Sequence, residues 1–422
     1  MTISKRILVV AESIDVSDSS GTKGRVALIK NLHELGYQLR VCHYTKKEIQ
    51  LEGIECIQIK ELKWSLNYIL SRSERIFTRL TKISLNKFLE SNIGFSFTFL
   101  NDSNSIAKGV REQLDFNPDL VLTLSKGASF RTHHGLLKVP EVHQKWAAYV
   151  HDPFPYHFYP RPYTWVQPGY KQKERFFREV SQKAGVSVFP SLLLKEWMGS
   201  FFEGFEKTGQ TIPHQISETI TIKGEQNFPD YFEAQKFTLL HAGNLMKQRN
   251  PMPLIEAYKL FLERMPQAVN QSQLLLLGPS SFFSEKLNAL KPELPSLVVK
   301  NENVPFYEVL KMQFQCSVNV ILESKSEISP FLPGKFPHCI AANKPILFLS
   351  PYYSETKRIL GDDYPYWSES DNVELISKQI EQLYEEWIAN NGVVNLNRND
   401  IESYLGKEYL RDKMQEILND LT

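Results

Sequence analysis

Residues 329–345 read SPFLPGKFPHCIAANKP and stand between two apolar runs, VNVIL at 318–322 and PILFL at 345–349. The order predicts a strand, a Ser/Pro/Gly-rich turn, a short helix from about Lys335 to Ala342, and a second strand. In an open α/β sheet, ligands bind at the carboxyl ends of strands, where loops meet helix N-termini. Free backbone N–H groups at such a helix start suit a phosphate. Lys335 adds a positive charge there, and His338 lies about one turn further along the same side. The plain alternative is a βαβ unit with an ordinary polar loop.

Upstream, 237–245 (FTLLHAGNL) opens a second half of the chain, followed by the loop 246–250 (MKQRN). A helix over 251–265 tolerates Pro251 and Pro253 in its first turn. Strands at 273–277 and 297–299 and a helix at 305–314 lead to the 318 strand. Downstream, 371–389 and 401–421 are apolar at helical spacing, with Ile376, Ile380 and Leu383 on one face. The polar stretch 216–236 reads as a crossing between halves.

The first half begins with ILVVA at 7–11, a run that suits a parallel strand buried on both faces. A small, polar loop containing Gly21, Thr22 and Gly24 precedes a helix with Leu28, Ile29, Leu32 and Leu35 on one side and Gly36 at its end. Strand, glycine-containing loop and helix are the opening of a Rossmann-like half. The loop lacks G-x-G-x-x-G, so a dinucleotide-dependent dehydrogenase gains little support. Strands at 119–124 and 146–150 follow, and the latter delivers His151 and Asp152 to the ligand edge. The Pro- and aromatic-dense 153–165, with His157 and Arg161, must be a structured loop. The run 185–191 reads as the last strand of this half. Residues 61–115 mix aromatic and basic side chains. They fit either a solvated helix face over a buried stripe or an amphipathic surface for an anionic membrane.

The chain has 422 residues, room for two or three domains, and a net charge of +1. That balance gives no electrostatic case for nucleic acid as a partner. Four widely spaced cysteines suggest free thiols in a reducing compartment rather than a metal site. The apolar run near the start is too short for a signal peptide, and no run reaches a membrane span, so a cytoplasmic location is expected.

Leu332-Pro-Gly-Lys335, the helix ending in small residues and the Pro345-Ile346 strand resemble the donor segment of group-1 (family 4-like) GT-B glycosyltransferases. The resemblance covers most of the second half and the layout of the first. It implies an α/β chain of two Rossmann-like domains facing across a cleft. The domains would be 1–200 on the acceptor side, 201–236 as connection, and 237–400 for the nucleotide-sugar. The helix 401–422 would return to the first domain. It implies transfer of a sugar from a nucleotide-sugar donor, with retention and without a metal or other cofactor. The acceptor would be a glycan, a lipid-linked sugar or a protein. Apart from the resemblance, the aromatic and basic residues of 61–100 allow peripheral contact at the inner membrane face. Gly21 and Thr22 would approach the donor, and His151 with Asp152 would lie by the reacting sugar. Asn244 stands where the family has an arginine, and Arg249-Asn250 where it has Lys-Gly. Lys247, Arg249, Ser329 and Lys335 would then serve the donor. The family's two donor-loop glutamates, eight positions apart, fall on Pro330 and His338, with Glu327 nearby as a substitute. That departure leaves open a nonenzymatic relative binding a glycan or protein, and a nucleotide-sugar epimerase or hydrolase of the same fold.

Overall fold

The structure is a computed structural model that describes residues 5–18, 20–216 and 227–421. Part of the expected crossing at 216–236, from 217 to 226, lies outside the described residues. The chain forms two compact units. The first is Met1–Tyr159, Thr164–Ser217 and Tyr404–Thr422; the second is Pro160–Tyr163 and Glu218–Ser403.

The first unit is built on β1 (Arg6–Ala11), β2 (Gln38–His43), β3 (Glu55–Gln58), β4 (Leu120–Leu124), β5 (Trp146–Tyr149), β6 (Val186–Phe189) and β7 (Gly209–Thr211). Their order is β3-β2-β1-β4-β5-β6-β7 and every pairing is parallel. β4 and β5 are buried along their whole length, which is why they read as largely apolar runs. The expectation that 185–191 closes the sheet is corrected: β7 adds an edge strand, too short and polar (Gly-Gln-Thr) to show a pattern.

The first helix, α1 (Ser20–Glu34), buries Leu28, Ile29 and Leu32, and Gly36 follows it at φ +89°. It starts earlier than its apolar pattern, so Gly21 and Thr22 belong to its first turn rather than to a loop. The closing helix Lys407–Asp420 places Leu410, Met414 and Ile417 in the core formed by β1, β2 and α1.

The second unit contains β8 (Phe237–Ala242), β9 (Ser272–Leu277), β10 (Leu297–Lys300), β11 (Val318–Leu322), β12 (Ile328–Ser329), β13 (Ile346–Leu349), β14 (Tyr353–Ser354) and β15 (Trp367–Ser368). The main sheet runs β10-β9-β8-β11-β13-β15, again all parallel, with β12 and β14 as a separate pair. Each unit thus has the doubly wound order in which the chain direction across the sheet reverses beside its first strand. The reversal lies between β1 and β4 in one unit and between β8 and β11 in the other.

All four cysteines are free and buried. No helix among the described residues is long and apolar enough to cross a membrane.

Candidate functional site

In the first unit, the carboxyl ends of β1 and β4 are bridged by Arg25, which is 3 % exposed. Its guanidinium donates to the carbonyls of Ser13 (3.4 Å) and Ser125 (2.8 Å) and to Thr22 Oγ1 (2.6 Å). Burial pushes Arg25 down to about 10, against the charges of Glu12, Asp18 and Asp152, so it remains a cation at neutral pH. Thr22 therefore holds Arg25 from a fully buried position, while Gly21 is exposed.

β5 delivers the next members. The His151 ring stacks on Tyr149 at 4.3 Å and lies nearly parallel to His214 at 6.4 Å. Burial, then the charges of Arg25, His214 and His133, hold His151 well below the usual imidazole range. Burial and Arg25 push His214 down to about 4. Both rings are neutral at pH 7, and buried His151 Nε2 has no hydrogen-bond partner among the described residues. A neutral imidazole with an open nitrogen can hydrogen-bond a hydroxyl or a ring oxygen. Burial raises Asp152 to about 6, opposed by a hydrogen bond from Tyr159 and by Arg25. Arg25 carried no sequence motif, and only the fold brings it and His214 to His151.

Beside this group, Glu12 follows β1 and ties down the loop after β4. It accepts from the Lys126 N–H (3.0 Å), from the Ser129 hydroxyl and from Arg131 Nη1 (2.7 Å). Arg131 also pairs with Asp102 at 3.0 Å, and Asp102 accepts from Tyr44. His157 sits apart, 3.9 Å from Glu174, in the loop that follows β5.

In the second unit, the strand ends at the reversal point carry His241 (on β8) and Glu323 (directly after β11), both buried. Lys335 precedes the helix Phe336–Ala341, and its Nζ lies 3.2 Å from His241 Nδ1. Burial, reinforced by the Arg249 charge and opposed by Glu323, lowers Lys335 to about 7. Burial raises Glu323 to about 7, against the Ser329 hydroxyl and the charges of Arg249 and Lys335. Neither Glu323 oxygen has a well-aligned hydrogen bond among the described residues, and Arg249 Nε likewise has none. A Cβ at Gly243 would stand 3.2 Å from Lys335 Nζ, so the absence of a side chain there leaves the ammonium its place. Two cations beside a carboxylate with open acceptors can hold a polyanion and a hydroxyl together.

Arg249, Ser329 and Lys335, expected from sequence, are therefore gathered with His241 and Glu323, which were not expected. An acid placed immediately after an apolar strand at a ligand edge was the available signal for Glu323. Asn244 is exposed, and exposed Lys247 reaches over the Phe282 ring at 5.7 Å. His338 packs edge-on against Phe306 at 5.2 Å. Glu327 is exposed, whereas Glu323 is the carboxylate next to the two cations.

The N–H groups of the first helical residues, Phe336 to His338, are engaged or missing. Phe336 N–H donates to Pro333 O, His338 N–H to Lys335 O, and Pro337 has none.

No family model matches the sequence, and no curated protein does. Solved structures do match along the whole chain. A UDP-forming α,α-trehalose-phosphate synthase from Burkholderia xenovorans aligns at 10% identity, covering 99% of each chain, with a TM-score of 0.65. A trehalose-6-phosphate structure from E. coli, bound with UDP-2-fluoro glucose, aligns at 12% identity over 98% of this chain and 99% of that one (TM-score 0.63). Sucrose-phosphate synthase from Thermosynechococcus elongatus aligns at 11% identity over 99% of each (TM-score 0.60). At these identities the likeness is one of fold, and that fold is GT-B.

Proposed function

We propose that this protein is a glycosyltransferase that moves a sugar from a nucleotide-sugar donor to a glycan, lipid-linked or protein acceptor. The observation that carries the reading is the group Arg249, Lys335 and Glu323 at the reversal point of the second sheet. Lys335 and Arg249 bind the donor diphosphate and stabilise it as it leaves, a role that cations fill without a metal. Glu323 accepts hydroxyl hydrogen bonds from the ribose or the sugar, with Ser329 beside it. Lys247 adds an outer charge. His151, neutral and with an open Nε2, hydrogen-bonds the reacting sugar, and Asp152 with Arg25 sets the local field around it. The resemblance favours retention of configuration at the sugar. Support also comes from the solved GT-B structures whose names include UDP-forming synthases.

A second reading rests on Pro330 and His338, which stand where the resembled family has its glutamates. On that reading the protein binds a glycan or a protein without turnover, or converts its nucleotide-sugar without an acceptor.

Thermal unfolding with UDP-, GDP-, ADP- and CMP-linked sugars and the free nucleotides tests the donor site, because a ligand of the folded state raises Tm by mass action. A shift with one nucleotide class is expected. Release of that nucleotide only when an acceptor is present identifies a transferase; release without one identifies the isomerase or hydrolase. No shift at millimolar ligand would favour the nonenzymatic reading.

A further inference from the structure

One helix of the first unit is packed inside out, and the short helix after it buries none of its residues. α2 (Leu66–Thr81) packs against α4 (Phe97–Arg111) and is followed in the chain by α3 (Asn86–Ile93). A helix on a globular protein ordinarily turns its apolar stripe inward. α2 buries Ser71 and Glu74 instead. Ser71 Oγ lies 2.7 Å from Thr98 Oγ1 of α4, and Glu74 accepts from Thr78 at 2.9 Å. The outward side carries Leu66, Ile69, Ile76, Phe77 and Leu80, a stripe at helical spacing. Leu66 is 72% exposed and Leu80 78%. Past the ends of α2, Trp64 (81% exposed), Ile83 and Phe88 extend the same apolar character.

The stripe is held in place by its supports. Ser65 caps α2 through the Tyr68 N–H and donates to Asn101 Oδ1 at 2.6 Å. Asn101 Nδ2 in turn donates to the Leu62 carbonyl. Trp64 is fixed between these anchors at φ +69°, a backbone region that an aromatic residue rarely adopts.

Along one flank of the stripe run Arg72, Arg75, Arg79 and Lys82, at i, i+3, i+7 and i+10. Arg79, Lys82 and Lys87 make no ion pair among the described residues. The nearby acids are engaged: Glu61 pairs with Arg72, Glu74 points inward, and Glu90 pairs with Lys173 at 2.8 Å.

We infer that α2 and α3 form a docking surface for an anionic lipid bilayer. The apolar stripe enters the acyl boundary, Trp64 sits at headgroup level, and the basic flank meets lipid phosphates. A protein partner would have to bury an apolar stripe and match a basic flank; an anionic bilayer offers both surfaces at once. The inference stands whether or not the chain transfers sugars.

Co-sedimentation of the full chain with vesicles of phosphatidylcholine and phosphatidylglycerol, against phosphatidylcholine alone, is the test. Binding is expected to the anionic vesicles, weakening with added salt. The pair Ile76→Asp and Leu80→Asp should abolish it. The pair Arg79→Ala and Lys82→Ala should weaken it about thirtyfold, at one surface charge each. Both pairs alter exposed positions, and an unchanged Tm confirms that the fold is kept. Failure to bind anionic vesicles, or equal binding by the Asp pair, would overturn the inference. So would a concentration-dependent dimer that the Asp pair disperses, since the stripe would then belong to a second copy.

Discussion

Lys335 Nζ approaches His241 Nδ1 to 3.2 Å, although the same ring nitrogen lies 3.1 Å from the Val320 carbonyl. Nδ1 can donate to the carbonyl or accept from the ammonium, but not both at once. With the Arg249 charge also nearby, the ammonium is poorly satisfied, and burial holds Lys335 at about 7. A bound polyanion would restore the charge. Donor affinity should therefore fall as pH rises above about 7, with net proton uptake on binding. Calorimetry at pH 7 to 9 in buffers of different ionisation enthalpy measures both. Lys335→Ala should cost about tenfold to a hundredfold in affinity, the range for a charged hydrogen bond. An unchanged affinity would remove Lys335 from the site.

The same group makes a stability prediction. The folded-state value of Lys335 lies below its ordinary 10.5, so the folded protein binds this proton less tightly than the unfolded chain does. The charged lysine therefore costs stability below about pH 7, and the cost fades as pH rises from there toward 10.5. Lys335→Met should raise Tm at pH 6, with the gap narrowing by pH 9. A lower Tm at pH 6 would show that the ammonium is stabilising where it lies.

His151→Ala should reduce kcat more than donor affinity, because His151 is assigned to the reacting sugar rather than to the diphosphate. Equal losses would recast it as a binding or structural residue. The neighbouring Asp152 carboxyl, raised by burial to about 6, is the partner of buried Arg25 when ionised. Turnover should rise with pH through about 6, and Asp152→Asn should flatten that limb. A limb that persists in the variant belongs to another group.

Arg25 ties the ends of β1 and β4 together through two carbonyls and Thr22. Arg25→Met should lower stability by about 2–4 kcal/mol, since it leaves buried acceptors unpaired and removes the partner of buried carboxylates. Arg25→Lys should recover only part, because an ammonium lacks the planar fork that reaches these acceptors. Denaturant unfolding measures both.

Turnover, once a donor is known, should survive a metal chelator. Loss of activity with EDTA and its return with a divalent cation would overturn the assignment of diphosphate stabilisation to Lys335 and Arg249.

The α/β class, most strands and the strand–turn–helix–strand order of the second half were legible in the residues alone. Parallel strands buried on both faces, such as VNVIL and LVLTL, must be written as apolar runs. Lys335, Arg249 and Ser329 came from the resemblance of their loops to the family's donor segment. The folded chain set Glu323 rather than Glu327 beside the two cations, assembled Arg25, His151 and His214 from distant segments, and engaged the Phe336 and His338 N–H groups internally. It alone showed which face of α2 turns outward. Helical periodicity gives the angle between faces, but what packs against each face is a property of the folded chain.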